Sequence, residues 1–120
     1  MPHVIIEYSD NVEEWGDPGQ ITSAVHDALC NSGLLPAEAI KTRAIRHGMV
    51  RIGRDRAGLK GFATVLIRTR PGREDHVLQQ ISAIARDAVI ERIAARPGKE
   101  FSVSVEIQMM DPVAVLQAKI

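Results

Sequence analysis

The sequence predicts an α+β fold of two tandem β-α-β units, forming a four-stranded mixed sheet with two helices on one face. Three observations lead there. Apolar residues recur at helical spacing over about residues 18–32 and 74–95 and at strand spacing over about 2–8, 62–69 and 101–109. Turn-forming residues separate these stretches, as at Asp17-Pro18, Gly33, Pro71-Gly72 and Pro97-Gly98. The order strand–helix–strand then occurs twice, and a right-handed crossover in each unit places both helices on the same side of the sheet. A chain of 120 residues is expected to make one domain, residues 1–120, with its own core.

The first strand, 2–8, points Pro2, Val4, Ile6 and Tyr8 to one face and His3, Ile5 and Glu7 to the other. Ser9 to Gly16 is polar and loop-like. Asp17 suits the cap of the first helix and Pro18 its first position. Ile21, Ala24, Val25, Ala28 and Leu29 then form an apolar stripe, and Gly33 is its stop. Residues 40–52 read as a strand with a weaker pattern. Gly48, Gly53, Gly58 and Gly61 punctuate the connection to the third strand, and Arg51, Arg54, Arg56 and Lys60 crowd it. No glycine-rich turn runs into a helix there, so a solvated hairpin loop is expected rather than a phosphate cradle. Thr64, Val65 and Ile67 mark strand 62–69. In the second helix, Glu74 and Asp75 suit the positive end of the helix dipole, and Val77, Leu78, Ile81, Ile84, Ala85, Ala88 and Val89 form one broad apolar stripe. Phe101, Val103, Val105 and Ile107 alternate with Ser102, Ser104, Glu106 and Gln108 in the last strand. The sheet face away from the helices lacks cover within one chain and is expected to meet a partner subunit.

Composition narrows the function. Lys plus Arg and Asp plus Glu number 15 each, so no nucleic-acid or membrane surface is indicated. One Trp, one Tyr and two Phe are too few for base-stacking platforms. Cys30 is alone and makes no intrachain disulfide, which suits a reducing compartment. The start lacks the basic residues and long apolar run of a signal peptide, and no stretch matches a membrane span. A soluble cytoplasmic protein is the expectation. His3, His26, His47 and His76 show no metal-ligand spacing, and no Ser/His/Asp arrangement stands out.

The chain start carries the chemistry. If Met1 is removed, Pro2 becomes a terminal secondary amine. An α-amino group titrates near ~7.7–8 before perturbation, far closer to neutrality than lysine. Burial and nearby cations lower it further, because both disfavour its charged form. A base working at neutral pH needs a pKa near that pH. Most Met-Pro starts do no chemistry, so the rest of the chain has to support this one.

The support comes from a resemblance. The opening Pro2-His3-Val4-Ile5-Ile6-Glu7-Tyr8-Ser9-Asp10-Asn11 closely resembles the start of 5-carboxymethyl-2-hydroxymuconate isomerases, in the tautomerase superfamily. Ile40-Lys41-Thr42-Arg43, Pro71-Gly72-Arg73, Glu106-Ile107 and Pro112 are similar to that family too. The likeness spans nearly the whole chain. It implies a tautomerase-like fold and a cofactor-free isomerase from aromatic catabolism, acting on an unsaturated 2-hydroxy or 2-oxo dicarboxylate. It also implies a homotrimer with sheets inward and helices outward. By the same resemblance Pro2 is the base, and Arg73, Lys41 and Arg43 hold substrate carboxylates. Lys41 stands where the family commonly has arginine. It keeps the charge but loses the planar fork that grips a carboxylate with two parallel hydrogen bonds. Arg43, two residues on, shares its strand face and is placed to help.

The chemistry agrees with these roles. Proton transfer beside a carbonyl builds negative charge on oxygen, and fixed cations stabilise it. The same cations depress the amine's pKa. Two other readings fit the sequence. One is a related hydratase, decarboxylase or dehalogenase that uses a protonated proline as acid. The other is a non-catalytic trimer or ferredoxin-like binding module.

Overall fold

The structure is a computed structural model describing residues 1–120. Strand β1 (His3–Ser9) leads through a 3-10 turn, Val12–Glu14, to helix α1 (Pro18–Asn31). A second 3-10 turn, Ala37–Ala39, precedes β2 (Lys41–His47). Then come β3 (Lys60–Thr69), α2 (Asp75–Ile90) and β4 (Glu100–Met109). The sheet order is β2-β1-β3-β4. Each β-α-β unit pairs its own strands in parallel, and β1 meets β3 antiparallel across the centre.

Alternation along the strands sorts the two faces. Val4, Ile6, Ala63, Val65 and Ile67 are at most 1% exposed and pack under the helices against Ile21, Val25, Leu29, Ile81, Ala85 and Val89. Burying each larger aliphatic side chain contributes roughly 1.5–3 kcal/mol. The helices lie on the same face and pack against each other. Asp17 caps α1 as its side chain accepts from the amides of Gly19 (2.7 Å) and Gln20 (3.3 Å). Pro18 opens that helix, and Gly33 leaves it at φ 72°.

Three boundaries differ from the sequence reading. The second helix ends at Ile90 rather than near residue 95. There the chain leaves the helix so that the Ala94 amide donates to the Trp15 carbonyl (2.8 Å). Strand β2 ends at His47 rather than 52. Beyond it the chain winds around Asp55, whose carboxylate accepts from the amides of Ala57, Leu59 and Lys60. Strand β3 starts at Lys60, because Lys60 and Gly61 already pair with Glu100 and Phe101.

The face away from the helices is mixed. Register with β1 puts Ile5, Ile45, Phe62 and Leu66 on it. Edge strand β4 adds Ser102, Ser104, Glu106 and Gln108, because its alternation sends every apolar side chain inward.

Candidate active site

Pro2 immediately precedes β1, with its side chain fully buried. Its carbonyl accepts from the Lys41 amide (3.1 Å), which ties the chain start to β2. On the other flank His3 pairs with Arg68 of β3. Continuing that register sets Pro2 beside Thr69 and Met1 beside Arg70. Alternation then directs Pro2 and Thr69 toward the helices, and Met1, His3, Lys41, Arg68 and Arg70 toward the open face.

The chain start is thus flanked by basic groups. Burial first, and then the charges of Lys41, Lys119 and Arg70, hold the Met1 amine below its ordinary value. Arg43 donates from Nη1 to His3 Nδ1 (3.1 Å). A guanidinium has no acceptor, so His3 Nδ1 is unprotonated and Nε2 carries the hydrogen. In agreement, burial and then Arg43, the chain-start amine, Lys41 and Arg68 push His3 below the usual imidazole range.

Arg73 sits on the helix side. Its Nε donates to the Leu34 carbonyl (3.4 Å), and Nη1 donates to Thr69 Oγ1 (3.1 Å) and the Arg70 carbonyl (3.3 Å). The guanidinium therefore bridges the end of β3, the turn before α2 and the loop after α1. Its Nη2 has no protein partner. So Lys41 and Arg43 lie on the open side of the chain start, and Arg73 lies beside Thr69, the register neighbour of Pro2.

None of Lys41, Arg43, Arg68, Arg70, Arg73 and Lys119 forms an ion pair with a carboxylate. In a chain of zero net charge, unpaired cations are concentrated at one end of β1, an arrangement that suits an anion. Periodicity did not single out Arg68, Arg70 or His3. The available signal was the two-residue spacing of Arg68 and Arg70, which puts both on one strand face, but their nearness to Pro2 depends on the β1–β3 register.

The main clefts of the single chain lie elsewhere. One of about 560 Å³ opens at the far end of β1, lined by Ser9, Asn11, Arg51, Asp55, Arg56 and Lys60 among others. Two of its charges are already engaged: Lys60 pairs with Glu100 (3.7 Å), and the Asp55 carboxylate holds its own loop. It holds no group suited to act as a base near neutral pH. The candidate site is therefore the chain start rather than this cleft. No group of three or more His, Cys, Asp or Glu residues is placed to hold a metal ion. His26 and Cys30 form a small cluster with Thr42 on the helix side, away from the cations.

The family model described as 5-carboxymethyl-2-hydroxymuconate isomerase matches residues 2–119. A 5-carboxymethyl-2-hydroxymuconate isomerase from Deinococcus radiodurans R1 superposes with a TM-score of 0.82 at 16% identity, covering 98% of this chain and 88% of that one. A 5-carboxymethyl-2-hydroxymuconate delta-isomerase gives 0.71 at 20% identity, over 100% and 88%. A fused 4-OT described as a symmetric trimer gives 0.68 at 12%, over 97% and 91%. At such identities these structures establish the α+β tautomerase-like fold. No curated protein matches the chain in sequence.

Proposed function

The chain belongs to the 5-carboxymethyl-2-hydroxymuconate isomerase family, and from that premise we propose that it is a cofactor-free tautomerase whose base is the Pro2 nitrogen. Removal of Met1 frees that nitrogen. It also vacates the space that Met1 fills between Lys41 and Arg70, which a substrate then enters. The substrate class is an unsaturated 2-hydroxy or 2-oxo dicarboxylate.

The neutral secondary amine takes the proton of the enol hydroxyl. The enol oxygen becomes a carbonyl as its electron pair moves along the conjugated chain to a distant carbon. The protonated proline then returns the proton to that carbon. Atoms and charge balance without a further reagent. Lys41, Arg43 and Arg73 hold carboxylates and stabilise charge as it builds on oxygen. Arg73 is pre-set for this by its bonds to Leu34, Thr69 and Arg70, with Nη2 left for a ligand. Cations aligned before the reaction need no reorganisation during it.

The observation that carries this reading is the group of cations without carboxylate partners around the chain start, where burial and then Lys41, Lys119 and Arg70 hold the Met1 amine below its ordinary value; the same charges would act on the Pro2 nitrogen once Met1 is removed. The mixed open face of the sheet, with Ile5 and Leu66 paired at its centre, supports a homotrimer with sheets inward. The test is an ultraviolet assay on a 2-hydroxydienoate with the processed protein before and after acetylation of its terminal nitrogen, since Pro2→Ala would leave a primary α-amine in the same place. Removing the general base costs about 10²–10⁴-fold in turnover. An acetylated protein that stays folded and turns over at the native rate rejects the Pro2 nitrogen as the base.

A further inference from the structure

We propose that an apolar cleft at the start of β4 is a small-molecule site separate from the chain start, and that it takes a compact aryl-alkyl monocarboxylate. The cleft has a volume of about 290 Å³ and is lined by Trp15, Ile90, Ile93, Ala95, Phe101 and Val103, with Arg96 and Lys99 completing the wall. It exists because of how α2 ends. The chain leaves the helix at Ile90, and the Ala94 amide donates to the Trp15 carbonyl (2.8 Å), so a gap opens between the departing loop and β4. The walls are held in place. Arg96 Nε donates to the Glu14 carbonyl (2.5 Å), Lys99 pairs with the Glu14 carboxylate, and the Lys99 amide donates to the Arg96 carbonyl (3.1 Å). Trp15 is 4% exposed and packs against Phe101. A pocket with walls fixed before binding loses little to ordering them.

Charge and shape select the ligand. Lys99 is neutralised by Glu14, whereas Arg96 has no carboxylate partner. One cation is thus left beside an aromatic and aliphatic slot, which suits a single anionic group on an apolar body. Aromatic walls favour an aryl body, packed offset or edge-on against Trp15 and Phe101. A dicarboxylate is a poor fit, because its second carboxylate would be desolvated against apolar side chains without a partner. The volume matches the small end of ligand pockets, about 300–1,000 Å³. Ile90 is 51% exposed, while Ile81 and Val89 of the same helix are fully buried. Next to it, Glu91 and Arg92 are exposed and charged. The apolar surface is therefore confined to the slot, too little for a protein interface of about 800 Å² per partner. Phe101 pairs with Gly61, eight residues along β3 from Thr69, so the cleft lies roughly 25 Å along the sheet from the chain start. Its occupancy does not depend on the chemistry at Pro2.

Trp15 is the only tryptophan, so its emission reports on this cleft. The test titrates the full chain with 3-phenylpropionate, with 3-phenylpropanol, which has the same body without the charge, and with adipate. 3-Phenylpropionate is expected to change Trp15 emission saturably and to bind about ten-fold more tightly than the alcohol, as a charge-assisted hydrogen bond does. Adipate should leave the emission unchanged. Arg96→Gln removes the charge but keeps a donor for the Glu14 carbonyl, and it should erase the preference for the acid. Ile90→Ser, at an exposed position, should weaken acid and alcohol alike by about three-fold or more through lost apolar contact, and it serves if Arg96→Gln does not fold. No saturable change in the native protein, equal binding of acid and alcohol, or an adipate response equal to that of 3-phenylpropionate overturns the site. So does an acid preference kept in Arg96→Gln, or affinities unchanged in Ile90→Ser. Trp15 emission that shifts with protein concentration in ligand-free samples also overturns it, and assigns the cleft to a second copy.

Discussion

Replacing Arg73 with alanine removes the side chain that bridges three segments at the end of the sheet. Its bond to Thr69 Oγ1 is 3.1 Å, and those to the Arg70 and Leu34 carbonyls are 3.3 and 3.4 Å. Thr69 is 2% exposed with the guanidinium in place, so the hydroxyl it caps is a buried acceptor. A charged donor to a buried acceptor contributes about 1.5 kcal/mol, and the two longer bonds add only a few tenths each. The expected loss is about 2 kcal/mol, or roughly 6–10 °C in Tm for a protein of this size. Urea unfolding at fixed protein concentration measures it, since oligomerisation couples to stability. The midpoint should fall with no change in slope. Arg73→Lys should recover less than half, because an ammonium on a flexible stem does not reproduce the fork's fixed geometry. An unchanged midpoint in Arg73→Ala, or full recovery in Arg73→Lys, refutes the bridging role and leaves Arg73 as a solvated surface cation.

The same geometry sets other outcomes. Gly61→Ala would set a Cβ 2.8 Å from Trp15 Cζ3, 2.9 Å from Asn11 Oδ1 and 3.1 Å from Phe101 Cδ1. Trp15 is buried and packs against Phe101 with ring centroids 5.0 Å apart and planes tilted by 47°, so little can give, and thermal unfolding should show a loss of about 1–3 kcal/mol. A stability equal to native would mean that this corner repacks freely. Burial raises the Asp55 carboxyl, but bonds from the Leu59, Lys60 and Ala57 amides outweigh it and hold the group below the usual carboxylate range. A depressed carboxyl favours the native loop above its ordinary pKa, and the benefit is lost as pH falls through the lowered value. Asp55→Ala should therefore speed hydrogen exchange at residues 57–60 at neutral pH. Unchanged protection at those amides counts against the loop's dependence on Asp55.

The fold was legible because its signals are local. Asp17-Pro18 marks a helix start that the side-chain oxygen then caps, and the alternation from Phe101 to Gln108 fixes both the strand and its inner face. Where the reading fell short, a distant partner decided the outcome. Trp15 draws Ala94 out of the second helix, which periodicity alone extends to residue 95. The bend beyond His47 depends on Asp55 capturing amides up to five residues later. At the site, Pro2, Lys41, Arg43 and Arg73 stood out by resemblance and by the chemistry of an amine among cations. Arg70, Arg68 and His3 were hidden because strand register, rather than sequence spacing, brings them to the chain start.

The mechanism needs the processed chain to present an uncharged proline nitrogen at neutral pH. NMR titration of that nitrogen reads this out, in nitrogen-15-labelled protein whose intact mass confirms loss of Met1. The expected pKa lies below the ordinary ~7.7–8 of an α-amino group, because burial and cations act together on it. A nitrogen titrating above that range, or a purified chain that keeps its methionine, would contradict it.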